Sequence, residues 1–251
     1  MVVVEVNGVS KSFLIPSIRR TTVREHVFGF WRRPRIERLS VLDRVSFTLS
    51  AGETVGIMGR NGSGKSTLLN IISGIYPAEG GYVRVAAALT AILELGVGWN
   101  PELDAVDNVF LLGSVMGLPL REIRGRLDEI LAFAELERFA NLQLKHYSSG
   151  MGSRLAYSVA FAAVRDVLVL DEIFAVGDAG FKARCEERCR QLHRSGHSIL
   201  LVSHDPRAVS TFCARGVILE AGRLVFEGTG EATARRYLEL MSEPRPAPQI
   251  A

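Results

Sequence analysis

The stretch GRNGSGKS at residues 59–66 fits G-x-x-x-x-G-K-[ST], and it lies between TVGIM (54–58), a strand-sized apolar run, and STLLNIIS (66–73), which has helical spacing and is stopped by Gly74. A strand, a glycine-rich turn and a helix in that order leave few folds open to the chain. Gly59, Gly62 and Gly64 let the backbone turn back with its N–H groups inward and no Cβ in the way. Lys65 adds a point charge, Ser66 offers an oxygen to Mg²⁺, and the helix start adds its partial positive charge. With Asn61, Ser63 and Thr67 completing the segment, the guest that fits this loop is a polyanion such as a nucleotide phosphate chain.

The rest of the sequence repeats the alternation. VVVEV (2–6), SFTL (46–49), YVRV and LTAIL read as strands before a different kind of block, 96–163, in which Leu120, Ile123, Leu127, Ile130 and Leu131 keep helical spacing with no strand pattern between them. From VLVL (167–170) the strand, helix, strand order resumes with ILLV (199–202), a helix near 206–213 and a hairpin pattern in GVILEAGRLVFEG. Such alternation predicts an α/β core with a mainly parallel sheet. The predicted organisation is a core from 1–95 and 164–240, an inserted helical subdomain over 96–163 and a loose, proline-rich tail over 241–251.

No window of eighteen consecutive apolar residues occurs, so no segment reads as a membrane-spanning helix. A formal net charge of +3 in 251 residues falls short of a nucleic-acid signature. Three cysteines without a signal-peptide pattern argue for a reducing compartment. Cys185, Cys189 and His193 recur at helical spacing and offer two readings, metal ligands on one face or buried thiols; the Arg and Glu crowding that helix favour the second.

Two further stretches carry chemistry. VLVLDE (167–172) is an apolar strand ending in paired carboxylates, and successive strand positions point to opposite sides. Asp171 is therefore placed to hold Mg²⁺ directly or through water, and Glu172 to polarise the water that attacks a γ-phosphate. Taken alone, the pair would be no more than solvated acids at a strand end. His204 closes the strand ILLVS, and in a parallel sheet the strand C-termini line one edge, which brings it to the same phosphates. YSSGM (147–151) opens a helix pattern. Its serines are either an ordinary cap or an anion site in which Ser148 Oγ and the N–H groups of Ser149 and Gly150 act where other phosphoryl-transfer enzymes use an arginine.

GRNGSGKST, YSSGM, VLVLDE and His204, in this order and spacing, resemble the ATP-binding cassette of ABC transporters over nearly the whole chain. The resemblance implies a RecA-like core with an antiparallel β subdomain, ATP and Mg²⁺ as cofactors, and two cassettes that each cap the other's triphosphate. It makes Ser148 and Gly150 signature residues, with Ser149 and Met151 replacing a glycine and a glutamine. Asp178 in AVGD matches the family's D-loop aspartate at the dimer seam. Phe13 is the aromatic best placed to stack on adenine, with a core role as the alternative. The family's Q-loop glutamine is missing, and Glu94 or a neighbour takes its place, still able to contact Mg²⁺ or its water.

AILELGVGWNPE, RLAYSVAF and DEIFAVGD sharpen the resemblance to the ATPase subunits of bacterial polysaccharide exporters for O-antigen, capsule and teichoic acid. This implies an ATP hydrolase at the cytoplasmic face of the inner membrane, working on a permease present in two copies, with a lipid-linked glycan as cargo and no nucleic acid. Longer members carry a C-terminal carbohydrate-binding domain, and this chain is expected to be a short form. An ABC subunit for another cargo and a soluble ABC ATPase of translation or DNA maintenance are the competing readings; the single cassette and lack of a long coiled coil weigh against the latter. A basic insert, about 14–40, has seven arginines against two glutamates, and Val23, Val27, Phe30 and Trp31 on one helical face suit a contact with lipid headgroups beside the permease.

Overall fold

The computed structural model describes residues 1–17, 35–92, 98–171 and 178–243. Among these, the chain builds two sheets and a helical lobe. β1 (Val2–Ser17) lies between β2 (Arg35–Ser50) and β4 (Gly80–Val85) in an antiparallel sheet. The second sheet has the order β5-β6-β7-β3-β8-β9, made of β5 (Leu89–Ile92), β6 (Val167–Asp171), β7 (Ser198–Val202), β3 (Thr54–Met58), β8 (Arg215–Glu220) and β9 (Arg223–Thr229). Pairing is parallel from β5 through β8, and β9 closes the edge antiparallel to β8.

The burial follows from this order. TVGIM and SILLV are buried at every position, as central parallel strands covered on both faces must be. RLVFEGT alternates exposed and half-buried positions, as an edge strand does. One face of the sheet packs with the antiparallel sheet and α1 (Lys65–Ile72) around Leu68, Leu69, Ile57 and Val202. The other face packs on α5 (Ala179–Arg194), α6 (Pro206–Phe212) and α7 (Gly230–Ser242) through Phe181, Val209 and Tyr237.

The helical lobe comprises α2 (Ala105–Val115), α3 (Leu120–Ala134) and α4 (Ser149–Ala162). α4 is the wedge between lobe and core. Leu155, Ala156 and Val159 belong to the lobe's cluster, while Tyr157, Ala160 and Phe161 belong to the sheet's. Of the predicted apolar stripe on α3, Ile123, Ile130 and Leu131 are buried and Leu127 packs at its margin, but Leu120 is 61% exposed because it starts the helix before the face turns inward. The antiparallel ladder also runs into the stretch read as an insert, pairing Leu14 with Arg38 and Ser17 with Arg35. The predicted amphipathic face of Val23, Val27, Phe30 and Trp31 lies outside the described residues. Among the described residues, no helix is long and apolar enough to cross a membrane.

Cys185, Cys189 and Cys213 are buried thiols, and burial pushes Cys213 up to about 12. His193 Nδ1 lies 3.1 Å from Thr54 Oγ1, so the ring is engaged at the base of β3. The helical cysteine row therefore faces the hydrophobic core, with Phe181 and Leu192 among its neighbours.

Candidate functional site

The turn between β3 and α1 is a strained, glycine-dependent cradle. Gly59 has φ 156°, and a Cβ there would come within 2.2 Å of Leu219 O; at Gly64, with φ 104°, it would come within 2.8 Å of Val41 O. Gly62, with φ 82°, faces open space, where a Cβ would meet nothing within 4 Å. Lys65 is buried at 7% exposure, and its Nζ donates to Gly59 O at 2.8 Å and to Arg60 O at 3.1 Å. The ammonium is thus already folded over the loop it is to serve. Ser63 Oγ is buried in the loop and has no hydrogen-bond partner among the described residues. Asn61 is exposed at the tip, and Thr67 is half-buried in the first turn of α1.

The sheet order brings the acidic strand end to this loop. Ser66 Oγ donates to Asp171 Oδ2 at 3.1 Å, across a sequence separation of 105 residues. A hydroxyl and a carboxylate at that spacing are hard oxygen donors, which suit Mg²⁺ with waters and phosphate oxygens in the remaining positions. Asp171 pairs in register with Val202, the last residue of β7, and His204 follows two residues later, exposed at the same edge. The expectation that β3, β6 and β7 deliver the loop, Asp171 and His204 to one sheet edge therefore matches the topology. Glu172 and Glu94 lie outside the described residues.

Phe13 is half-buried on β1, edge-on to Tyr76 with centroids 5.9 Å apart, and Lys11 Nζ lies 5.5 Å from its ring centre. Lys11 thus lies over one face of the ring, in addition to the Tyr76 contact.

Ser148 caps α4. Its backbone is extended (φ −68°, ψ 159°) and its Oγ accepts from Met151 N at 3.2 Å, while Ser148 O accepts from Gly152 N at 3.0 Å. The cap reading is thus observed, and because it uses only one lone pair of the hydroxyl it is compatible with the anion reading. Ser148 and Ser149 are exposed and Gly150 is half-buried. Met151 is half-buried and packs against the lobe's apolar cluster.

Asp178 caps α5 by accepting from Phe181 N at 2.9 Å, and it also forms an ion pair with Arg154 of α4. The Phe181 N–H holds its carboxyl below the ordinary value, with the Arg154 charge adding to the effect. Arg154 reaches Glu135 at 2.7 Å as well, and Arg184 of α5 pairs with the same carboxylate. The two guanidiniums flank the buried Phe181 ring at 5.6 and 5.5 Å. Sequence reading missed Arg154 and Glu135. Their pairing depends on how α3, α4 and α5 pack, which leaves no spacing signal in the sequence, and the left-handed backbone at Glu135 (φ 58°), which few non-glycine residues adopt, is a feature of the fold.

The ABC transporter family model matches residues 42–175. The chain is also 38% identical over 239 residues to the ABC transporter protein AbcA of Aeromonas salmonicida, covering 95% of this chain and 77% of that protein. This chain is an ATP-binding cassette of the ABC transporter family. The cassette is 37% identical to the O-antigen export system ATP-binding protein RfbB of Klebsiella pneumoniae, over 80% of this chain and 82% of that one. It is 36% identical to the RfbB of Myxococcus xanthus, of which it spans 55% of the length. Among solved structures, it superposes on the ATP-binding subunit of an ABC transporter with a TM-score of 0.74 at 25% identity, over 96% of this chain and 95% of that one. The dimeric, ADP- and Pi-bound cassette MJ0796 shares its fold with a TM-score of 0.73 at 24% identity, over 90% of this chain and 98% of that one. The cassette is thus an ABC-type ATPase with a P-loop NTPase α/β fold.

Proposed function

We propose that two copies of the cassette close on two ATP molecules with Mg²⁺, and that hydrolysis powers export of a lipid-linked polysaccharide of O-antigen, capsule or teichoic-acid type. The carrier would be a separate permease, present in two copies, with the cassettes at the cytoplasmic face of the inner membrane. The observation that carries the catalytic half is the Ser66–Asp171 contact at 3.1 Å beside the buried Lys65. It supports reading that sheet edge as a phosphate cradle with a hard-cation site.

Each side chain then has a role. Backbone N–H groups of the loop from Asn61 to Thr67 wrap the β- and γ-phosphates, and Lys65 turns its ammonium from the Gly59 and Arg60 carbonyls onto them. Ser66 and Asp171 would hold Mg²⁺, which would supply positive charge to offset that of the phosphates. Glu172 takes the proton from the attacking water, and His204 donates toward the γ-phosphate. Ser148, Ser149 and Gly150 of the second copy cover the γ-phosphate from the far side with their hydroxyl and N–H groups, adding the positive end of the α4 dipole. Asp178 lies at the seam between copies, Phe13 receives the adenine, and Glu94 completes the environment of Mg²⁺.

The polysaccharide cargo is supported by the likeness to the O-antigen export proteins and to the teichoic acids export ATP-binding protein TagH of Levilactobacillus brevis, 38% identical over 78% of this chain and 54% of that one. The arginine-rich insert suits a contact with the anionic headgroup of a lipid-diphosphate carrier. The test is reconstitution with a permease of the polysaccharide-export type in vesicles bearing a lipid-linked glycan. ATP hydrolysis should rise with the glycan and fall to background in Lys65→Ala; a rate indifferent to the glycan would reject the cargo.

A further inference from the structure

Arg60 lies between Gly59 and Asn61 inside the phosphate loop, yet its side chain leaves that loop for the other end of the chain. Its Nη2 donates to Leu240 O, in the last turn of α7, and to Glu243 O at 2.6 Å, about 180 residues away in sequence. Its Nε lies 3.8 Å from Glu220 Oε1 at the end of β8. The side chain is mostly buried, at 15% exposure. The main chain of the same residue is built into the glycine-rich loop, where Arg60 O accepts from Lys65 Nζ at 3.1 Å and from Ser63 N at 3.1 Å. One residue therefore holds the phosphate-binding ammonium with its carbonyl and the terminus of α7 with its guanidinium.

The chemistry on both sides is specific. The last carbonyls of a helix carry the negative end of its dipole; Leu240 O, which also accepts from Glu243 N at 3.3 Å, and Glu243 O just beyond the helix end both receive the planar guanidinium, which at the same time approaches a carboxylate. α7 cannot drift freely, since Tyr237 and Leu240 are anchored in the core beneath the sheet. The loop, by contrast, holds Gly59, Gly62 and Gly64 at positive φ, and a glycine-rich segment loses much conformational freedom on ordering. Ordering it before the nucleotide arrives lowers the cost of binding.

We propose that Arg60 is a positioning residue that latches the phosphate loop to the C-terminal end of α7, so that nucleotide affinity and the order of that helix end are thermodynamically linked. The proposal rests on the nucleotide reading of the loop. It has a consequence for regulation: any contact that lifts the end of α7 weakens ATP binding, and ATP tightens the end of α7 by the same free energy.

The test uses the full chain. Arg60→Ala should weaken ATP binding by about tenfold in calorimetric titration, and the conservative Arg60→Lys should fall between that variant and the parent. Glu220→Gln should weaken binding in the parent but add little in the Arg60→Ala background. In hydrogen exchange, ATP should protect the amides of residues 236–243 in the parent and fail to do so in Arg60→Ala. Parent-like affinity in Arg60→Ala, or exchange at 236–243 indifferent to ATP in the parent, would overturn the latch. Should Arg60→Ala fold poorly, the Arg60→Lys affinity and the parent exchange experiment still decide the matter. A parent that binds no ATP would instead reject the nucleotide reading itself.

Discussion

The phosphate loop and the start of α4 are both short polar segments at a helix N-terminus, but they are built to opposite standards. Ser63, Gly64 and Lys65 are buried, and their geometry is enforced by backbone that leaves no room for a Cβ at Gly59 or Gly64. Ser148 and Ser149 are exposed and held by one capping bond, and the residues behind them are fixed mainly by apolar packing. On the proposed mechanism the first grips one triphosphate from the near side, and the second covers the triphosphate of the other copy.

Four substitutions would break or sharpen that contrast. Lys65→Ala should reduce hydrolysis by about a thousandfold and weaken ATP binding to one chain, because a phosphate donor is lost from a buried site. Ser148→Arg should reduce hydrolysis by about a hundredfold yet leave the ATP affinity of the isolated chain within about twofold, since only the second half-site is blocked. Equal losses of affinity in both variants would erase the distinction. Gly64→Ala should lower the melting temperature by about 3–8 °C and weaken nucleotide binding, because it forces a Cβ into the Val41 carbonyl at a left-handed φ. A calorimetric scan with and without ATP checks both effects.

The smallest effect concerns the ion pairs behind the signature helix. Arg154→Gln should lower the melting temperature by no more than about 2 °C, because these carboxylates are exposed to solvent. Asp178 and Glu135 are held below their ordinary values of 3.8 and 4.5, by the Phe181 N–H and by the Arg184 guanidinium respectively, with Arg154 assisting both. A depressed carboxyl stabilises the fold fully above the unfolded value, and that contribution is lost as pH falls through the folded one. The gap between parent and Arg154→Gln should therefore be constant from about pH 8 to 6 and close in acid. Scanning calorimetry across that range checks it, and a gap that widened in acid would contradict the assignment.

How much was legible beforehand differed by kind of interaction. TVGIM read as a strand and is β3 at the same bounds, because a continuous apolar run between turn residues has one comfortable place, the middle of a parallel sheet. The meeting of Ser66 with Asp171 was legible too, since strand ends in such a sheet share an edge. β1 was read only as VVVEV because Asn7-Gly8 and the polar Ser10, Lys11 and Ser12 interrupt its apolar pattern; the ladder with β2, with its register shifts there, carries it to Ser17. The links of Arg60 to α7 and of Arg154 to Asp178 left no periodic trace, because an arginine's partner depends on where distant elements pack. Met151 looked like a lost polar contact and is instead a packing residue, a distinction that only burial makes.

The most direct test is the mass of the Glu172→Gln chain in solution by light scattering, with ATP and Mg²⁺. The account predicts a dimer holding two ATP molecules, which Ser148→Arg in the same chain returns to monomer with ATP still bound. A species that remains monomeric at saturating ATP, or a dimer untouched by Ser148→Arg, would contradict it.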